Sequence, residues 1–232
     1  MEQTADWLMQ GDAAIQYLVH RWLLDSGGSV LEQLQERITQ EGIGARLLSC
    51  RGAGGHWGLH YYQPKWTCTH YTLLDLQSLY APRTTPPCRE MVGRMLDECM
   101  KEDGSLNLSK YEHPSDTCVD GMALDYCAWF CPDDPRVRRL ACYLLSCQKP
   151  DGGFTWDQGL EDGDAHTTIC VLEGFGQCLD AGFRGMEAGL KTAVIRGTEF
   201  LLSRGLFMGD RDARFRKLSY PWRYRYDLLR AL

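Results

Sequence analysis

The sequence lacks the features that mark several broad classes of protein. It has no apolar run of the roughly 18 residues that a membrane-spanning helix needs. Its start, Met1 to Asp6, has neither the basic residues nor the apolar run of a signal peptide. The absence of a Cys-x-x-Cys pair excludes a zinc ribbon and a thioredoxin-type site. The net charge of -6 argues against nucleic acid as the main partner. We therefore expect a cytoplasmic protein with no membrane span and no nucleic-acid partner.

Cysteine, in contrast, is abundant. The chain has 232 residues, of which 44% are apolar, so it is long enough to bury a sizeable core. Its eleven cysteines are an odd number, and disulfide frameworks are typical of shorter, secreted chains. Several lie in apolar helical patterns, namely Cys127, Cys142, Cys147, Cys170 and Cys178. We interpret most of the cysteines as small buried hydrophobic residues in a reducing compartment.

A glycine turn recurs along the chain at intervals of about 49 residues. Its copies are Gly54-Gly55-His56-Trp57, Asp103-Gly104-Ser105-Leu106 and Asp151-Gly152-Gly153-Phe154. Cys68, Cys118 and His166 follow the turns at one equivalent position. Leu74-Asp75, Leu124-Asp125 and Leu172-Glu173 mark a second equivalent position further on. Because repeats stack their equivalent residues, this pattern predicts potential metal ligands at one end of a helical array.

Apolar residues at helical spacing predict an all-α protein, and no segment reads as a strand. The predicted helices are a HEAT-like pair between Asp6 and Leu24 hinged at Gly11-Asp12, one long helix from Val30 to Leu48, a pair over Thr69–Tyr80 and Arg89–Met100, a pair on either side of Pro132–Pro135, and two more starting near Ala165 and Met186. The first helix of each pair is richer in apolar and small residues, so it should be the inner, buried one. The second is more charged and should be outer.

The domain organisation follows from this pattern. Residues 1–50 form an N-terminal helical segment that packs on the repeats of residues 51–232, and the whole forms one domain. Pro221 to Leu229 is expected to open another inner helix. That helix has no outer partner in the sequence, and an exposed apolar face is costly. We therefore expect a truncated chain, or a protein partner or self-association that covers this half repeat.

The turn from Gln148 to Phe154 resembles the glutamine, glycine and aromatic turn of squalene and terpene cyclases and of protein prenyltransferase β subunits. Arg51 to Trp57 is a looser copy. The resemblance covers roughly residues 45–232 and is greatest to bacterial prenyltransferase-like or squalene-cyclase-like proteins. It implies an α/α toroid, here incomplete, in which inner helices form a barrel and outer helices surround it.

The same resemblance implies a zinc site. Protein prenyltransferase β subunits bind zinc through an Asp-x-Cys at the start of one inner helix and a His at the start of the next. Asp116, Cys118 and His166 match those positions, and Cys68 is a candidate fourth ligand. Carboxylate, thiolate and imidazole are normal zinc ligands, and three of them leave a position open. The alternative is that Asp116 caps its helix, the cysteines are packed in the core and His166 donates to a carbonyl.

The resemblance also implies a diphosphate clamp of His, Arg, Lys and Tyr, but its positions fall on Cys68, Lys110, His113 and Val119. Lys110, His113 and Arg223 remain candidates for holding an anion near helix ends, with a solvated or capping role as the alternative. Aromatic residues suit an isoprenoid or other hydrophobic small molecule, and the candidates for a central cavity are Trp66, Tyr71 and Trp222.

Three functions remain open at this point. The first is a transferase of the zinc-dependent prenyltransferase type, in which zinc activates a substrate thiol. The second is a non-catalytic toroid that binds or scaffolds and has lost the diphosphate clamp. The third is a metal-independent cyclase, which is disfavoured because the Asp-x-Asp-Asp acid of such cyclases is absent.

Overall fold

The structure, a computed structural model, describes residues 2–209 and 212–232. Over these residues it is helical and contains no strand, which confirms the all-α prediction. They form two compact units, residues 1–91 and residues 92–232. None of the described helices is long and apolar enough to cross a membrane. The α-helices are α1 (Glu2–Leu8), α2 (Ala13–Trp22), α3 (Gly28–Ile38), α4 (Gly42–Ser49), α5 (Thr69–Ser78), α6 (Pro86–Cys99), α7 (Thr117–Phe130), α8 (Pro135–Ser146), α9 (Ala165–Asp180), α10 (Glu187–Ser203) and α11 (Leu228–Ala231), and short 3-10 helices span Gly205–Phe207 and Ala213–Arg216.

In the first unit the N-terminal helices contact the first repeat. The Gln35 side chain on α3 donates a hydrogen bond to the carbonyl of Tyr80, just after α5, at 3.0 Å. The indole N–H of Trp57 donates to the carbonyl of Leu47 on α4 at 2.7 Å. Trp57 is 1% exposed, so this turn aromatic is anchored in the core of the unit.

The N-terminal helices follow the prediction in one place and depart from it in another. The predicted hinge at Gly11-Asp12 is confirmed, since it separates α1 from α2. The single helix predicted from Val30 to Leu48 is wrong, because α3 ends at Ile38 and α4 begins at Gly42. Gly42 has a φ of +64°, a left-handed conformation that interrupts a right-handed helix.

The repeated glycine turn has the same geometry in each copy. Gly55, Gly104 and Gly152 have φ values of +85°, +95° and +91°, which L-residues with a side chain rarely adopt. A Cβ at Gly104 would lie 3.0 Å from the carbonyl oxygen of Arg139 on α8, and one at Gly152 would lie 2.6 Å from that of Arg196 on α10. Each of these two turns therefore packs its glycine against the backbone of an outer helix. Only glycine is small enough for this contact.

The predicted division into inner and outer helices is confirmed for α7 and α8. Every residue of α7 is buried. The N-cap residue of α8 is Asp134, Pro135 occupies its first turn, and it buries one apolar face, made of Val137, Leu140, Ala141 and Leu144. Most cysteines are buried as expected, although Cys142 on α8 is exposed, and none of the eleven forms a disulfide in the described part of the chain.

The inner helices α7 and α9 pack in direct backbone contact. A Cβ at Gly121 on α7 would lie 2.8 Å from the backbone nitrogen of Val171 on α9. A Cβ at Gly174 on α9 would lie 2.7 Å from the carbonyl oxygen of Gly121. Since these distances are shorter than real Cβ contacts, the two glycines set how closely the helices approach.

The inner helix predicted from Pro221 to Leu229 is wrong. The described segment is irregular until α11, a single turn that begins at Leu228. Arg223 has a φ of +54°, which a right-handed helix cannot contain. The side chain of Asp227 instead accepts hydrogen bonds from the amides of Ser219 at 2.8 Å and Arg230 at 3.0 Å, and so holds a loop before the final turn.

Candidate functional site

The predicted metal residues of the second unit lie at the N-terminal ends of α7 and α9. Asp116 is the N-cap residue of α7, and its Oδ1 accepts hydrogen bonds from the amides of Cys118 at 3.0 Å and Val119 at 3.3 Å. The capping role of Asp116 is thereby confirmed. Asp164 caps α9 in the same way, through the amide of Thr167 at 2.8 Å. Two carboxylates therefore mark the starts of the two adjacent inner helices.

A second thiol faces Cys118 across the contact between these helices. The Sγ of Cys118 lies 3.7 Å from the Sγ of Cys170 on α9, with the Cys118 thiol as the donor. Both residues are buried, at 7% and 0% exposure. The hydrogen bond to Cys170 and burial raise the pKa of the Cys118 thiol well above its usual range, and the charges of Asp116 and Asp164 add to the effect.

His166 is held by the C-terminal segment. Its Nδ1 accepts a hydrogen bond from the backbone amide of Tyr226 at 2.6 Å, and its ring meets Phe215 edge-on at 5.2 Å between centroids. In this contact Nδ1 of His166 accepts a hydrogen bond rather than donating one to a carbonyl. Burial lowers the pKa of His166, so the ring is neutral at neutral pH. With a lone pair on Nδ1, the proton lies on Nε2.

A buried ionic cluster lies further along the inner face of α9. The Arg230 side chain, 1% exposed, pairs with Glu173 through Nε at 2.8 Å and Nη2 at 2.5 Å. Its Nη2 also lies 3.4 Å from the Sγ of Cys170. Burial raises the pKa of Asp125 on α7 to about 8; the charge of Glu173 adds to this, and that of Arg230 opposes it. At neutral pH Asp125 is thus mainly protonated, and the Glu173–Arg230 pair is close to charge-balanced.

Sequence reasoning assigned no chemistry to this cluster. The sequence did contain a signal for this cluster, since Asp125 and Glu173 occupy one equivalent position of the repeat. What it could not supply was Arg230, which reaches Glu173 from 57 residues further along the chain.

The remaining candidates of the second unit are exposed or partly exposed. Lys110 and His113 are exposed, in the loop before α7. The Nδ1 of His113 bonds the carbonyl of Pro114 at 2.8 Å. Trp222 is partly exposed, and its ring meets that of Tyr220 edge-on at 5.3 Å. The carbonyl of Arg223 approaches the Sγ of Cys170 at 4.0 Å, so the backbone rather than the guanidinium of Arg223 makes this contact.

Three candidates belong to the first unit, residues 1–91. Cys68 is fully buried as the N-cap residue of α5, without a side-chain cap hydrogen bond. The rings of Trp66 and Tyr71 are 5.0 Å apart, and the Tyr71 hydroxyl lies 3.0 Å from that of Tyr62. These contacts form a compact aromatic cluster at the start of α5. The roles of Cys68 as a metal ligand and of Trp66 and Tyr71 as a ligand-binding wall stay predictions.

The described residues contain no group of three or more His, Cys, Asp or Glu side chains arranged to hold a metal ion. In particular, a metal on the Nε2 of His166 would require Nδ1 to carry the proton, and Nδ1 faces the donating amide of Tyr226. His166 therefore does not fit a metal while this hydrogen bond exists. Cys118 and Cys170 bring two thiols together, one fewer than the three protein ligands of a catalytic zinc site.

Comparison with known proteins identifies the family. A family model described as the prenyltransferase alpha-alpha toroid domain matches residues 7–192. The chain belongs to this family. The match confirms the α/α toroid fold class, and it extends further toward the N-terminus than the region of resemblance in the sequence. No curated protein matches the chain significantly, and neither does any solved structure.

Proposed function

We propose that this protein is a zinc-dependent transferase of the prenyltransferase type, which binds an isoprenoid or a similar hydrophobic molecule and transfers it to a thiol. The observation that carries the proposal is the position of Cys118. It lies at the start of a fully buried inner helix of a prenyltransferase-family chain, two residues after the capping residue Asp116 and 3.7 Å from a second thiol. Thiolate and carboxylate are ligands that zinc prefers.

The residues at this site would hold the metal and keep water away from it. Zinc bound there would favour the thiolate form of a substrate thiol. Cys118 and Cys170 are both buried, so a bound ion would be shielded on the side of the helices. The exposed Lys110 and His113 are the proposed contacts for a diphosphate.

The proposal is tested by metal analysis of the full chain purified without chelator. We expect one zinc per chain, lost in Cys118→Ala and retained in the matched control Cys142→Ala, whose thiol is exposed on α8. Zinc together with farnesyl diphosphate should raise the melting temperature more than either alone, because a ligand that binds only the folded state stabilises it. A wild-type protein that carries no zinc and gains none on titration would contradict the proposal.

A non-catalytic binding module is the second candidate. Two observations favour it. Cys68 and Val119 stand where the family's clamp has His and Tyr, and the Nδ1 of His166 is occupied by the Tyr226 amide. In that case an isoprenoid should raise the melting temperature equally with zinc and with chelator, and no thiol acceptor should become prenylated.

A further inference from the structure

Two thiols from neighbouring inner helices lie in contact. The Cys118 thiol donates a hydrogen bond to the Sγ of Cys170, with 3.7 Å between the sulfurs. A disulfide bond has a sulfur–sulfur distance of about 2.05 Å, so the two atoms together would have to move by about 1.7 Å. Small rotations of the two side chains cover such a distance. The pair can therefore close without sliding or separating the helices.

The backbones that carry the two thiols are held at short range. Gly121 lies one helical turn after Cys118 on α7, and a Cβ on it would lie 2.9 Å from the carbonyl carbon of Cys170. A Cβ at Gly174 on α9 would lie 2.7 Å from the carbonyl oxygen of Gly121. Because a disulfide forms only where two backbones approach closely, this glycine contact supplies the condition that it needs.

The sulfur of Cys170 is the one prepared to attack an oxidant. Besides the Cys118 thiol, it meets the Nη2 of Arg230 at 3.4 Å, and this side chain is 1% exposed. The carbonyl oxygens of Arg223 and Tyr224 lie further from the sulfur, at 4.0 and 3.7 Å. A charged donor forms hydrogen bonds about twice as strong as a neutral one. The surroundings therefore favour the negative charge that develops on this sulfur during the attack.

Burial of the pair selects a small oxidant. Cys118 is 7% exposed and Cys170 is 0% exposed. A bulky disulfide such as oxidised glutathione cannot reach sulfurs buried to this degree, whereas hydrogen peroxide is little larger than water. Arg230 also pairs with Glu173 through Nε at 2.8 Å, which fixes the guanidinium beside the sulfur and offsets part of its charge. The oxidant that fits this pair is therefore a small hydroperoxide.

We propose that Cys118 and Cys170 are a redox-sensitive pair that hydrogen peroxide converts to a disulfide. The sulfur of Cys170 attacks one oxygen of the peroxide, the O–O bond breaks, and the thiol proton leaves with the second oxygen as water. The sulfur of Cys118 then displaces the hydroxyl group from Cys170, which leaves with the Cys118 proton as a second water. The peroxide gains two electrons and the two thiols lose them, and a dithiol reductant reverses the change.

The disulfide withdraws Cys118 from the proposed metal site, because zinc binds a thiolate and not a disulfide sulfur. Oxidation therefore switches zinc binding off, and this consequence rests on the proposed function. The disulfide itself does not, since it depends only on the two thiols and the helices that carry them. In a reducing compartment such a bond is typically transient and redox-sensing.

The experiment treats the full chain with hydrogen peroxide in the presence of chelator and maps its disulfides by peptide mass spectrometry. We expect a link between Cys118 and Cys170 that dithiothreitol reverses and that Cys170→Ser abolishes. Cys178→Ser is the matched control and should keep the link, because Cys178 is also buried on α9 but lies two turns further along. A bond between residues 52 positions apart should also raise the melting temperature, by roughly 5–15 °C. Circular dichroism checks that each variant folds.

Two results would overturn the inference and leave the proposed function intact. One is that both thiols stay reduced under treatment that oxidises the exposed Cys142, and the other is that they link to other cysteines instead. A second measurement follows zinc, which peroxide should release from the wild type but not from Cys170→Ser, and which dithiothreitol should restore. Zinc that stays bound after the link has formed would contradict the switch. If the link forms in a wild-type protein that binds no zinc, the proposed function fails and the redox pair stands.

Discussion

The glycine contact between α7 and α9 allows a test in which two nearly identical substitutions have opposite effects. Gly174 and Gly176 lie two residues apart on α9. A Cβ at Gly174 would lie 2.7 Å from the carbonyl oxygen of Gly121 and 3.1 Å from the Cβ of Leu124. A Cβ at Gly176 would meet nothing within 4 Å. Alanine should therefore be tolerated at one position and not at the other.

The magnitudes follow from two opposing terms. Replacing a helical glycine by alanine stabilises a compatible site by about 0.5–1 kcal/mol. Overpacking a rigid contact costs about 1–3 kcal/mol. The atom that a methyl group at Gly174 would meet belongs to the backbone, so it cannot move aside as a flexible side chain would. Gly174→Ala should therefore lower the free energy of unfolding by about 1–2 kcal/mol, and Gly176→Ala should raise it by about 0.5–1 kcal/mol.

Urea denaturation followed by circular dichroism measures both values in parallel. The difference between the variants, about 1.5–3 kcal/mol, corresponds to roughly 3–12 °C in melting temperature for a chain of this size. Equal shifts in the same direction, or a stabilising Gly174→Ala, would refute the close backbone contact. They would also remove the fixed frame on which the spacing of the two thiols depends.

Three further predictions concern the buried polar groups. The pKa of Asp125 is raised to about 8 in the folded state, against about 3.9 in the unfolded chain. Its contribution to the free energy of unfolding is therefore fully present below pH of about 4 and is lost as the pH rises through about 8. In Asp125→Asn, the free energy of unfolding measured by urea denaturation should therefore decline less across this pH range. Arg230→Ala should lower the free energy of unfolding by on the order of 2 kcal/mol, because it leaves the largely buried carboxylate of Glu173 unpaired. Arg37→Ala is the control: its ion pair has both side chains 46% exposed, so the free energy of unfolding should fall by less than about 0.5 kcal/mol. Diamide should cross-link Cys118 to Cys170 in metal-free protein, because their sulfurs lie 3.7 Å apart, as peptide mass spectrometry would detect. Zinc should slow this reaction, and a cross-link that forms equally with zinc present would contradict the proposed binding of zinc by Cys118.

Much of the fold could be predicted because it depends on local rules. The recurring turns at Gly104 and Gly152 need a positive φ that glycine adopts readily, and both positions have it. Apolar and small residues at helical spacing predicted α7 as a buried helix, and all of its residues are buried. The errors also have local causes. Gly42 and Arg223 adopt left-handed backbone conformations inside segments whose apolar pattern predicts continuous helix.

The candidate site was predictable only in part. The family pattern placed Asp116, Cys118 and His166 at the ends of the inner helices, and all three lie there, the first two at the N-terminus of α7 and His166 at that of α9. It did not indicate that Cys118 faces Cys170, because the pattern compares equivalent repeat positions and Cys170 is one turn away from the equivalent position.

By itself, the sequence determined the repeat, the helical class and the family, because each depends on residue type and short-range spacing. Only the tertiary structure decided the partners of the site residues. Cys118 meets a thiol 52 residues away, and His166 accepts from an amide 60 residues away. Such pairs depend on how closely two helices approach and on the path of an irregular segment, and neither leaves a periodic signal in the chain.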